Sequence, residues 1–184
     1  MINREEALDS VMANVENKNL IKHMLATEAV MRSLAIRLGE DEELWGLTGL
    51  LHDIDMDLCQ ADMNIHSKLG ADLVRDMGVG EEVANAVLRH NEAHGVSPET
   101  NLDKALYCAD ALTGLITTTA LVRPDKKIGS VELKSIKKKY REKGFAAGVN
   151  REQIETCRDL GIELDEFIQL GLDAMKGISS DLGL

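Results

Sequence analysis

Apolar positions fall at intervals of three and four along most of the chain, and no stretch alternates convincingly with period two. The pattern therefore predicts helices throughout. A first short helix starts at Asn3 or Arg4 and ends near Val15. A second is expected from Lys18 to Leu38, with Leu20, Met24, Met31, Leu34 and Leu38 on one face, Thr27 among them and Gly39 as its stop. Asp41 is placed to cap a third helix that runs to about His52. Asp53 to Met63 reads as irregular and acidic, and Asn64 is expected to cap a fourth helix ending at Gly78. Gly80-Glu81 opens a fifth, bearing Val83, Val87 and His90, and Asn91 to Thr100 reads as a loop. The sixth, about Leu102 to Leu121, is the most apolar and is expected at the centre, with Pro124 at or after its end. A basic helix (about Val131 to Lys143), one from Asn150 to Leu160 and one from Leu164 to Met175 complete the chain. The fold class expected is all-α, a compact bundle of about eight to nine helices. No repeat or long linker divides the chain, so residues 1–184 are expected to form a single domain.

Composition narrows the picture. Aromatics are only 3% of the 184 residues, so Leu, Ile, Val, Ala and Met must fill the core. A formal net charge of -11 argues against a general surface for a nucleic-acid polymer. No apolar run approaches the ~20 residues that span a bilayer, and the N-terminus has no signal-peptide core, so no membrane association is expected. Cys59, Cys108 and Cys157 are odd in number and form no CxxC pair, which suits a reduced, cytoplasmic setting. Oligomeric state is not legible.

The chemistry concentrates in the first 110 residues. His52-Asp53 closes the apolar run Leu47-Thr48-Gly49-Leu50-Leu51, where a buried charge is costly unless paired or bound to a metal. The five histidines, at 23, 52, 66, 90 and 94, lie in or beside consecutive predicted helices. Singly, each has an ordinary alternative: core packing for His23, a helix N-terminus for His66, a helix C-terminus for His90 and a loop for His94. Asp110 sits in the apolar stretch Ala105 to Leu112 with no Lys or Arg at helical pairing distance, so it needs a distant partner. Imidazole and carboxylate suit divalent Mn, Fe, Co, Ni or Zn, and helices of a bundle can aim such groups at one point. The absence of a thiolate pattern argues against a structural zinc. Arg123 to Lys143 carries nine Lys or Arg against three acids. This reversal either draws an anionic substrate or is a solvated face paired with acidic helices. Thr117-Thr118-Thr119 either lines a pocket or bonds back to helix carbonyls.

The ordered set His23, His52-Asp53 and Asp110 resembles the HD superfamily of metal-dependent phosphohydrolases. Gly49-Leu50-Leu51-His52-Asp53-Ile54-Asp55 is similar to that family's central motif, and Asn64-Ile65-His66-Ser67-Lys68-Leu69-Gly70-Ala71 to the His-bearing helix of its HDIG branch. Val87-Leu88-Arg89-His90-Asn91-Glu92 resembles the next His motif, and Ala109-Asp110-Ala111-Leu112 the closing Asp. The resemblance covers roughly residues 18–122, while 123–184 form a C-terminal extension that matches nothing assignable.

It implies one divalent ion held by His23, His52, Asp53 and Asp110, and a second held by His66 and His90 with Asp53 bridging. One or two ions per chain are thus expected, with Mn, Fe, Ni, Co, Mg and Zn not distinguished. It also implies that metal-activated water cleaves a small anionic phosphate ester, a nucleotide being favoured. Asp53, Asp57 and Lys68 are the candidate catalytic residues: Asp57 is either a general acid/base or supporting carboxylate or, the more ordinary alternative, a solvated loop acid, and Lys68 either a phosphate contact or, more ordinarily, an exposed helix lysine. Relatives that cleave cyclic dinucleotides usually have two adjacent His and then Gly-Tyr-Pro; here His90-Asn91 precedes Gly95-Val96-Ser97-Pro98, which speaks against that substrate. His94 is a stand-in for the missing ligand at best. Two other readings stay open: a di-iron oxygen-activating member of the superfamily, and a non-catalytic binding or regulatory module with a structural metal.

Overall fold

Ten α-helices, joined by turns and three short 3₁₀ segments, account for the periodicity in this computed structural model, which describes residues 2–184 and has no strand among them. They are α1 (Arg4–Asn14), α2 (Lys18–Leu38), α3 (Glu42–Leu51), α4 (Lys68–Asp76), α5 (Glu81–Arg89), α6 (Asn101–Leu121), α7 (Leu133–Arg141), α8 (Arg151–Glu155), α9 (Leu164–Gly177) and α10 (Ser179–Leu182). The nine expected helices are present, and α10 is a tenth. Their starts follow capping chemistry. Asn3, Asn17, Asp41, Thr100 and Asn150 each accept backbone N–H groups that the first helical turn leaves unpaired.

The central position expected for the sixth helix is observed: α6 packs against α2, α5, α7, α8 and α9. Leu106, Leu112, Leu115 and Ile116 on it are fully buried, as are Met24, Met31 and Leu34 of α2. The close crossing of α2 and α3 depends on Gly49. A Cβ there would lie 2.8 Å from the backbone carbonyl oxygen of Thr27, so no larger residue fits without moving a helix. This approach sets His52, at the end of α3, beside His23 in the middle of α2. An ion network pins the other side of the same helices. Buried Glu28 on α2 accepts from Arg4 of α1 (2.5 and 2.9 Å) and from Arg32 (3.0 Å), and Arg32 also grips Glu43 of α3 (2.7 and 3.0 Å).

The largest departure from the sequence pattern is α4. Asn64 does not cap it; the helix begins at Lys68, preceded by turns and by Ser67 at φ 67°. The cap comes from a distance. The Asp55 carboxylate accepts from the backbone N–H of Ser67 (2.7 Å) and of Gly70 (2.8 Å), doing from another segment what a local cap would do. His66 therefore precedes α4 instead of lying in its first turn. Smaller differences concern the C-terminal extension, where the helix expected from Asn150 to Leu160 is α-helical only to Glu155 and continues as a 3₁₀ segment, Thr156–Leu160. Thr118 and Thr119 bond back to the carbonyls of Gly114 (2.8 Å) and Leu115 (2.7 Å). Cys59, Cys108 and Cys157 are free and buried. No helix among the described residues is long and apolar enough to cross a membrane.

Candidate metal centre

Four helices and a turn deliver six side chains to one place. His23 comes from the middle of α2, His52 and Asp53 from the end of α3, His66 from the turn before α4, His90 from the end of α5 and Asp110 from α6. The Nε2 atom of His23 lies 3.1 Å from that of His52 and 3.0 Å from Asp110 Oδ1. On the other side, the Nε2 atoms of His66 and His90 are 3.2 Å apart. Asp53 stands between the two groups. Its Oδ2 is 3.3 Å from His52 and 3.6 Å from His23, while its Oδ1 is 3.4 Å from both His66 and His90. Atoms bound to one ion at about 2.1 Å lie about 3.0 to 3.4 Å apart for right-angled to tetrahedral geometry. The spacing in both groups matches or slightly exceeds that range.

The donor chemistry is the stronger test of fit. His52 Nδ1 donates to the Gly49 carbonyl (2.8 Å) and His90 Nδ1 to that of Val87 (2.5 Å). His66 Nδ1 faces Asp55 Oδ1 at 2.9 Å. His23 Nδ1 faces the Thr113 hydroxyl at 3.1 Å, and since that hydroxyl donates to the Asp110 carbonyl (2.8 Å), it accepts from His23. All four rings thus carry their proton on Nδ1 and turn a bare Nε2 lone pair inward. Lone pairs facing each other at 3.1 and 3.2 Å repel unless a cation sits between them. Without a metal, a proton on His52 takes that part in the first pair. Burial opposes a charged His52, yet the neighbouring Asp53 carboxylate overcomes it and raises the imidazole pKa to about 9. Burial alone would raise the Asp53 carboxyl, but the imidazoles, His52 foremost, hold it well below the usual range; burial opposes ionisation of Asp110 too, and His23 foremost lowers its carboxyl. The site attracts cations, and an ion entering it displaces protons.

A third group, Asp55, Cys59 and His66, also presents ligand atoms close together. It is a poorer donor set. Asp55 is occupied by His66 and two backbone N–H groups, and burial raises the Cys59 thiol pKa, keeping it protonated.

Asp57 and Lys68 do not join the cluster. Asp57 Oδ2 accepts from the backbone N–H of Glu16 (2.8 Å) and Asn17 (3.1 Å), fastening the turn between α1 and α2. Lys68 is exposed, with Nζ 3.4 Å from the Asn64 carbonyl. His94 reaches the backbone carbonyl of His66 (2.6 Å), and buried Asn91 donates to the carbonyls of Met63 (2.8 Å) and His66 (3.1 Å). Arg89 pairs with Glu99 (2.8 Å) and Asp103 (2.7 Å), locking the α5–α6 connection.

The sequence reading missed Asp55 and Thr113 as supports of the imidazoles. A signal existed for Asp55, a second acid just past His52-Asp53 and beside apolar Ile54. It also missed the walls of the cleft above the cluster, a cavity of about 330 Å³ floored by Asp53, His66, His90 and Asp110. Its lining also includes Met56, Met63, Glu92, Asn150 and Gln153.

Comparison with known proteins gives the geometry a lineage. The family model described as HD domain matches residues 20–115, just over half of the chain and every one of the six clustered residues. Ribonuclease Y of Sulfurovum sp. (strain NBC37-1) is 30% identical over 139 residues, covering 73% of this chain and 27% of its own length. Ribonuclease Y of Bacillus thuringiensis (strain Al Hakam) is 28% identical over 169 residues, 90% of this chain and 32% of that protein. Ribonuclease Y of Thermobifida fusca (strain YX) is 35% identical over 98 residues, 53% of this chain and 19% of its own. The chain thus spans about a third or less of the curated relatives it matches. No solved structure matches it. On the family match and the ordered His and Asp residues that it covers, the chain belongs to the HD-domain family.

Proposed function

We propose that this protein is a metal-dependent phosphohydrolase acting on a small phosphate ester, a nucleotide being the class that suits its cleft. One observation carries the reading: the two oxygens of Asp53 face two separate imidazole pairs, which is what a carboxylate bridging two ions requires. His23, His52, Asp53 and Asp110 would hold one ion, and His66 and His90 with Asp53 the other. Divalent ions there supply Lewis acidity and a water with a pKa lowered to about 7. The chain's own residues orient the site. The Nδ1 acceptors Gly49, Val87, Asp55 and Thr113 fix each imidazole, so the donor geometry exists before substrate arrives. A cavity of about 330 Å³ admits a small ester beside these groups. Three free buried thiols suit a reducing, cytoplasmic setting.

A second reading, cleavage of an RNA phosphodiester, is favoured by the name of the relatives. The test is to strip the protein with chelator and reload it separately with Mn, Fe, Co, Ni, Mg and Zn. Phosphate release from p-nitrophenyl phosphate and nucleoside monophosphates is then followed beside a short labelled RNA and oxygen uptake. Release from small esters, abolished in Asp53→Ala, is the expected result. Cleavage of RNA alone moves the assignment to the second reading. Oxygen uptake with iron and no hydrolysis under any metal contradicts both.

A further inference from the structure

The walls of the cleft carry information about what it accepts. Glu92, in the 3₁₀ turn after α5, shares the cavity with Asp53, His66, His90 and Asp110. Its Oε1 is fixed by two donors, the Tyr107 hydroxyl (2.5 Å) and Asn150 Nδ2 (2.8 Å). Both bonds fall on Oε1, so Oε2 keeps its lone pairs for a ligand. Each neighbouring amide has one N–H engaged and one left. Asn150 gives Nδ2 to Glu92, and its Oδ1 caps α8 by accepting from Glu152 (3.0 Å) and Gln153 (3.2 Å). Gln153 gives one Nε2 hydrogen to the Tyr107 carbonyl (2.7 Å), which leaves its Oε1 and one N–H. The charged group on this wall is an acceptor, Glu92 Oε2, flanked by neutral amides, and among the described residues lining the cleft there is no Lys or Arg.

A surface of this kind selects its ligand by chemistry. Each further phosphate on a substrate brings negative charge and no donor, and away from the groups that would hold the ions it meets the Glu92 carboxylate with no Lys or Arg in the lining to offset it. Vicinal hydroxyls bring donors that the free Glu92 oxygen can accept. The lining also includes Met56 and half-exposed Met63, apolar and adaptable contacts for a planar or aliphatic group.

We propose that Glu92 is a specificity-determining residue that selects esters with a single phosphoryl group attached to a hydroxyl-bearing moiety such as a ribose, and rejects di- and triphosphates. The selection rests on the phosphohydrolase reading but adds to it. It also gives the C-terminal extension a role, since Asn150 and Gln153 shape the wall.

The experiment compares adenosine 5′-monophosphate, its 2′,3′-dideoxy form and adenosine 5′-triphosphate, with metal in excess over total nucleotide. Both kcat/KM and calorimetric affinity are measured, the latter with an ion that gives no turnover. Hydrogen bonds to a charged acceptor are worth roughly tenfold or more, so the monophosphate is expected to exceed each of the other two by at least about tenfold. Glu92→Gln keeps an acceptor for Tyr107 and Asn150 but replaces the free oxygen with a donor. Both preferences should then collapse towards unity. A triphosphate that binds or turns over as well as the monophosphate overturns the proposal, as does a dideoxy compound equal to the ribose form. The native comparison decides even if the variant does not fold. Hydrolysis of p-nitrophenyl phosphate in parallel separates this failure from failure of the phosphohydrolase reading, and the affinities are decisive without turnover.

Discussion

Replacing Asp55 with Asn tests how the chain holds His66 without touching any of the six converging residues. Asp55 is fully buried. Its Oδ2 accepts from two backbone N–H groups, Ser67 at 2.7 Å and Gly70 at 2.8 Å, and its Oδ1 accepts from His66 Nδ1 at 2.9 Å. Asn has one oxygen and one NH₂ for these three donors. Turning the NH₂ towards Ser67 and Gly70 strands two buried N–H groups, at a cost of about 1 to 3 kcal/mol each. The oxygen therefore stays there and the NH₂ faces His66. Nδ1 must then accept, the ring proton moves to Nε2, and the lone pair aimed at the cluster is lost. Supporting residues of this kind typically change metal affinity by 10- to 100-fold, or about 1.4 to 2.7 kcal/mol. Exchanging charge-assisted bonds for neutral ones costs about a further 1 to 2 kcal/mol of stability. At about 2 to 4 °C per kcal/mol for a chain of this size, Tm should fall by several degrees. Chelator-competition titration reads the affinity, and long-range ¹H–¹⁵N NMR reads the His66 tautomer. The expected outcome is one ion weakened 10- to 100-fold, with the other much less affected. Two ions at native affinity, or a His66 that keeps its proton on Nδ1, would refute the reasoning.

Three further outcomes follow from the same contacts. Gly49→Ala places a Cβ 2.8 Å from Thr27 backbone and should lose about 1 to 3 kcal/mol in urea unfolding, with weaker metal binding at His23 and His52; Gly46→Ala meets only the movable Arg32 side chain and should cost less. At Asp103 burial opposes ionisation, but the N–H groups of Glu99 and Thr100 and the side chains of Thr100 and Arg89 hold the carboxyl below its usual range. Its folded pKa is depressed, so its contribution is fully present above the unfolded value near ~3.9 and lost as pH falls through the folded one. The stability gap between native protein and Asp103→Asn should thus be constant from about pH 5 to 8 and shrink below about pH 4, and a gap that widens in acid contradicts this. Chelation should lower Tm in native protein, because an ion that binds only the folded state stabilises it by mass action, and leave Asp53→Ala nearly unmoved.

The helices were legible because amphipathic periodicity and local caps act within a few residues. Asp41 caps where the pattern puts it, and the helices expected to start near Asn3, Leu102 and Asn150 begin within a residue of those positions. The start of α4 was not legible, since its cap is Asp55, 12 and 15 residues away from the groups it binds. Asn64 has the right chemistry and spacing for a cap, and a buried carboxylate with better geometry replaced it. His52, Asp53 and Asp110 stood out as polar groups in apolar surroundings, which a folded chain does not carry without cause, whereas His23, His66 and His90 were singled out only by the ordered set they complete. Asp57 had no such mark, and its carboxylate serves a backbone turn instead. Glu92, Asn150 and Gln153 are ordinary surface types whose meaning depends on α6 and α8 coming together, a contact between distant segments that no local pattern encodes.

The most direct test of the central claim is the metal content of chelator-free protein by mass spectrometry, native against Asp53→Ala. Asp53 alone faces both imidazole pairs. The account predicts about two ions per native chain and loss of most of both in the variant. No ion in native protein after incubation with Mn, Fe, Co, Ni and Zn, or equal content in the two proteins, would contradict it.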